Sequence, residues 1–191
     1  MNPEDHSLPV EQKRHSTASP AAERFLEHLG RLKEKDTGAM ARLRHSLAHE
    51  PGAYPPAYAY VERFVGDEDR EFSAHRRALY LVAGLFARHP SQTSTPFPRV
   101  LGELQRAMGD NGDGVERRFI ALLNTDADSV SEHLRHAVSL LKSKEKGFDY
   151  ASLLDDLSRW MNPNSDPDRL RQKWAREFYR AVSVQEAASE E

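Results

Sequence analysis

The chain has 191 residues, a length that fits one domain or two small ones and is enough to bury a hydrophobic core. Hydrophobic residues make up 38% and charged residues 30%, with a net charge of -3. That balance predicts a folded polar protein rather than a disordered polyampholyte. No apolar run approaches the roughly 18 residues of a membrane span, and no basic-then-apolar leader opens the chain, so a cytoplasmic protein without membrane contact is expected. The absence of cysteine excludes disulfides, zinc ribbons and thiolate nucleophiles.

The first 18 residues mix Pro, Ser, His and charge without periodicity and read as a disordered N-terminal arm. Ser19 is placed to cap a helix that begins at Pro20 and carries Phe25, Leu26, Leu29 and Leu32 at helical spacing. Gly38 is expected to break that run, and a second helix from about Ala39 carries Met40, Leu43 and Leu47. Prolines 51, 55 and 56 enforce a turn-rich connection. Tyr58, Val61, Phe64 and Val65 mark a short helix, and Phe72, Leu79, Val82 and Phe86 a longer one ending before Pro90. After a loop from His89 to Pro98, Val100, Leu101, Leu104 and Met108 form another helix. Glycines 109, 112 and 114 then set a boundary between an N-terminal bundle, residues 19–108, and a C-terminal bundle, residues 115–182.

Beyond that boundary Phe119, Leu122 and Leu123 share a face, and Val130, Leu134, Ala137, Val138 and Leu141 follow in a helix started near Asp128. Asp149 caps a helix with a stripe of Tyr150, Leu153, Leu154, Leu157 and Trp160. Asp166-Pro167 starts a last helix in which Leu170, Trp174, Phe178 and Val182 recur every four residues. Residues 183–191 form an acidic tail. No segment alternates like a strand, so the expected fold is all-α, about nine helices in two small bundles.

Enzyme signatures are missing: there is no P-loop, no nucleophile elbow and no HExxH. The pairs His45/His49 and His133/His136 have helical spacing but lack the carboxylate company of a metal site, so neither a metal nor a cofactor is expected. The Asp110 to Gly114 segment lacks calcium ligands at the required loop positions. Asp155-Asp156 cannot share a proton, because helix neighbours diverge by about 100°; a solvated face with a capping role is expected there.

Arginine remains. The two ends, residues 1–23 and 183–191, hold seven acids against Lys13 and Arg14, which leaves the central segment with 25 bases and 23 acids. Arg42 and Arg44 flank Leu43, and Arg117-Arg118 precede Phe119. Guanidinium groups on rigid helices beside a packed core bind phosphate bidentately with little reorganisation. Lys142, Lys144 and Lys146 add a basic run that suits interaction with a helix C-terminus equally well. The candidate nucleic-acid contacts are Arg42, Arg44, Arg117, Arg118, Arg135, Lys142 and Lys144.

Read in order, the chain resembles the CasB small-subunit family of the type I-E CRISPR Cascade complex over most of residues 21–182. The resemblance is carried by Leu29 and Leu32 with Asp36, Gly38, Ala41, Leu43 and Arg44; by Glu116 to Phe119 with Leu122-Leu123; by Leu134-Arg135; by Asp149-Tyr150 through Trp160; and by Trp174 to Tyr179. Family members often carry two successive arginines where this chain has Arg44-His45, which makes the second charge depend on pH. The resemblance implies a non-catalytic helical subunit, present as a pair with a second copy of itself. It would pack along the backbone and large Cascade subunits near guide RNA and target and non-target DNA, holding phosphates and helping to keep the R-loop open. The competing expectation is a helical protein-protein adaptor that never touches nucleic acid.

Overall fold

The structure is a computed structural model that describes residues 18–66 and 73–183; Phe72, the N-terminal arm apart from Ala18, and most of the acidic tail lie outside the described residues. Nine α-helices follow in order among the described residues: α1 (Pro20–Lys35), α2 (Thr37–His45), α3 (Tyr58–Val61), α4 (Ala74–Arg88), α5 (Phe97–Met108), α6 (Asp113–Leu123), α7 (Val130–Ser143), α8 (Tyr150–Trp160) and α9 (Pro167–Ser183). The all-α reading holds; the one extended contact there is an isolated bridge between Gln92 and Phe148.

Capping explains most boundaries. The Ser19 hydroxyl accepts from the Ala22 amide at 3.2 Å, and Asp149 accepts from the Ala151 and Ser152 amides at 2.9 and 3.1 Å. Asp36 both closes α1 and caps α2, accepting from the Ala39 amide at 2.7 Å. The break therefore falls at Asp36, and Gly38 lies inside α2: a capping carboxylate outranks a glycine that helix geometry tolerates. Asp126, rather than Asp128, prepares α7 by accepting from the Asp128 and Ser129 amides.

The most buried helix is α4, where every residue from Ala78 to Ala87 is buried. It packs against α8 on one side and α2 on another, while α5 runs along α9. Gly102 permits that last approach, since a Cβ there would collide with the Phe178 carbonyl and come within 2.9 Å of Ala181 Cβ. A chain of rings fills the interior: Phe148 lies 5.1 Å from Phe97, which is 5.6 Å from Trp174, itself 5.1 Å from Trp160. Phe119 stacks on Phe178 at 4.1 Å. One hydrophobic cluster extends from Phe25 to Phe178, across the glycine-rich segment. On α9, Ala181 is buried and Val182 only partly, because a four-residue repeat drifts about 40° per step and the three-residue step returns to the face.

Asp155 and Asp156 correct the expectation of a solvated face. Asp155 takes the Ser19 amide at 2.6 Å and its hydroxyl at 2.8 Å, tying α8 to the start of α1. Asp156 is only 5% exposed; it accepts from Trp174 Nε1 at 2.7 Å and from Lys173 Nζ at 3.0 and 3.1 Å. The buried indole N–H needs an acceptor, and the carboxylate supplies it.

Candidate nucleic-acid interface

Two shallow depressions of about 500 and 760 Å³ lie side by side on the surface, sharing His136 and Ser139 of α7 as a common wall. The first is lined by Arg44 and His45 of α2, Arg88 of α4 and Arg135 of α7; the second by Arg117 and Arg118 of α6 with His133. Among the described residues neither is lined by a carboxylate, although the chain as a whole is net negative.

Most of these guanidinium groups are positioned by neutral partners, so their charge stays uncompensated. Arg44 Nε donates to the Ala87 carbonyl at 3.1 Å, Arg88 Nε to Ser139 Oγ at 3.0 Å, and Arg118 Nη1 to the Gly114 carbonyl at 2.8 Å. Arg135 donates to the Leu47 carbonyl and so fastens α7 to the turn after α2. Among the described residues, the five salt bridges involve none of these arginines. Arg44, Arg117 and Arg118 are exposed, while Arg88 and Arg135 are half-buried. A row of cations without ion-pair partners among the described residues, four of them held by neutral acceptors, focuses a positive potential on anything anionic that lies along it.

The structure brings together Arg44, Arg135, Arg117 and Arg118 from the sequence candidates. Arg42 is not on the groove: two residues from Arg44 is about 200° around a helix, and its Nη1 donates instead to Tyr60 Oη at 2.7 Å. Lys142 and Lys144 are exposed at the end of α7, outside both linings. Arg88 carries no local signal in the sequence, where it reads as the basic last turn of an apolar helix. His133 and His136 sit among the α6 arginines, whereas His45 and His49 join Tyr54 in a ring cluster. No group of three or more metal-ligating side chains occurs among the described residues.

Fold and groove together define an all-α protein with a cationic channel across four helices, free of acids among the described residues. Residues 39–179 match the family described as CRISPR-associated protein Cse2. A CRISPR-associated Cse2 protein of Thermus thermophilus is 41% identical over 174 residues, covering 88% of this chain and 96% of that protein. The chain belongs to the Cse2 family. A crystal structure of CasB from Thermus thermophilus superposes with a TM-score of 0.70 at 43% identity, covering 84% of this chain and 98% of that one. CasB from M. ruber does so at 0.72 and 31%, covering 88% and 98%. A chain of a CRISPR RNA-guided surveillance complex shares the fold, with a TM-score of 0.70 at 23% identity over 89% of this chain and 98% of that one. None of the described helices is long and apolar enough to cross a membrane.

Proposed function

We propose that this chain is the small, non-catalytic subunit of a CRISPR RNA-guided surveillance complex and that its groove holds a nucleic-acid backbone without reading sequence. The carrying observation is the acid-free lining of Arg44, Arg88, Arg135, Arg117 and Arg118, each fixed by its helix or by a neutral acceptor. Family membership and the shared fold with a surveillance-complex chain support the setting.

The energetics suit the role. Opening an R-loop exchanges one duplex for another of similar stability, so a few backbone contacts on the displaced or target strand tip the balance. Arginine is suited to this because its fork matches phosphate and stays charged. Lys142 and Lys144, just beyond the lining, extend the positive field, and Arg42 serves the same strand only if it leaves Tyr60. The partners are then guide RNA, target and non-target DNA, the backbone and large subunits, and a second copy of this chain. The chain is read as two bundles, 19–108 and 115–182, that share one core.

The test is R-loop retention in the reconstituted complex carrying Arg44→Ala or Arg117→Ala, with circular dichroism as the folding control. Faster loss of the R-loop with unchanged helicity is expected. Unchanged retention in both variants, with partners kept after nuclease treatment, would establish the adaptor reading instead.

A further inference from the structure

Beside the cationic groove lies a smaller pocket of about 300 Å³ whose chemistry differs. It shares Leu47, Ala48 and Arg135 with the groove, and at its rim stands His49. His49 is exposed and stacks on Tyr54, with ring centroids 4.8 Å apart and planes 17° from parallel. His45, which lines the groove itself, sits 5.1 Å from Tyr54 and 5.6 Å from His49. Three flat rings thus form one cluster where the groove meets the pocket.

The two compartments sort the parts of a nucleotide. The groove is cationic and shows no acid among the described residues, so it suits phosphate; the pocket carries Glu50 and Glu132, which repel phosphate, with Asp128 already paired to Arg77 at 3.1 Å, and Pro51 beside the edges of the buried Leu47 and Leu81 offers an apolar wall to a neutral flat body. Arg135, on the wall between them, is within reach of a phosphate whose base turns into the pocket. Aromatic faces bind unpaired bases regardless of identity, because every base offers a π-face.

We infer that the His45/His49/Tyr54 cluster is a stacking platform for one unpaired nucleobase of the strand whose phosphates lie in the groove. This rests on the groove reading and sharpens it: the ligand is single-stranded, since a base inside a duplex cannot reach the platform. His49, exposed at the pocket and stacked on Tyr54, makes the contact; Tyr54, half-buried against the core, backs it.

The experiment is anisotropy of labelled single-stranded DNA and duplex DNA of the same length, titrated at low salt with the full chain, His49→Ala and His49→Phe. The ratio of single-strand to duplex affinity falls about 5- to 10-fold in His49→Ala, in line with the loss of one stacked base, and His49→Phe restores it. The side chain is exposed, so neither variant alters the fold, which circular dichroism verifies. A ratio unchanged in His49→Ala, or equally depressed in His49→Phe, overturns the platform alone. A wild-type chain that binds neither DNA overturns the groove reading and the platform with it.

Discussion

Replacing Asp156 by Ala removes a buried carboxylate that organises the α8/α9 contact. It accepts Trp174 Nε1 at 2.7 Å and Lys173 Nζ at 3.0 and 3.1 Å, and Trp174 is fully buried. Among the described residues the indole N–H has no other acceptor, and an unsatisfied buried donor costs about 1 to 3 kcal/mol, with hydrogen bonds to a charged group at about 1.5 to 3 kcal/mol each. The Lys173 side chain is 37% exposed, so its pairing regains water on loss and adds little. The expected destabilisation is about 2 to 4 kcal/mol for Asp156→Ala and roughly half of that for Asp156→Asn, which keeps an oxygen acceptor. Urea unfolding followed by tryptophan fluorescence reads both. A loss under about 0.5 kcal/mol for Asp156→Ala would refute the claim that this carboxylate satisfies the indole.

Two carboxylates give opposite pH signatures. At Glu62 burial opposes ionisation, but hydrogen bonds from Tyr80 at 2.6 Å and Arg76 at 2.5 Å outweigh it and hold the acid below its ordinary value of 4.5. A depressed folded-state value means stability present above the unfolded value and lost as pH falls through the folded one. Glu62→Gln is therefore less stable than wild type at pH 7, with the gap closing in urea titrations as pH falls below the ordinary value of 4.5. At Glu177 burial dominates and pushes the acid up, with Oε2 lacking a hydrogen-bond partner. Protonation favours the folded state there, so Glu177→Gln stabilises the chain at neutral pH and the gain vanishes under acid conditions; a gain that grew on acidification would contradict this sign. Gly102→Ala drives a Cβ into the α9 backbone and should lower the unfolding midpoint by an amount equivalent to about 1 to 3 kcal/mol.

The helices were legible because periodicity and capping chemistry agree: Ser19, Asp149 and Asp166 each precede a helix that begins where expected. Gly38 misled because tertiary context lets a glycine sit inside α2 while Asp36 makes the break. Asp155 and Asp156 could not be read from sequence, since their partners, Ser19 and the Lys173-Trp174 pair, are distant along the chain. The same holds for the groove. Arg44 and Arg117 stand out by local pattern, but the joining of α2, α4, α6 and α7 into one surface is a tertiary event, and Arg88 enters only through it. Arg42 shows the reverse: adjacency in sequence to Arg44 places it on the other side of the helix.

The most direct test of the groove is the salt dependence of single-stranded DNA binding, measured by anisotropy for the full chain and for the double variant Arg44→Ala with Arg117→Ala. With three or four phosphate contacts the wild-type slope of log affinity against log salt should be about -2 to -3, and removing two cations should reduce its magnitude by about 1.4. Identical slopes for the two proteins would contradict the account.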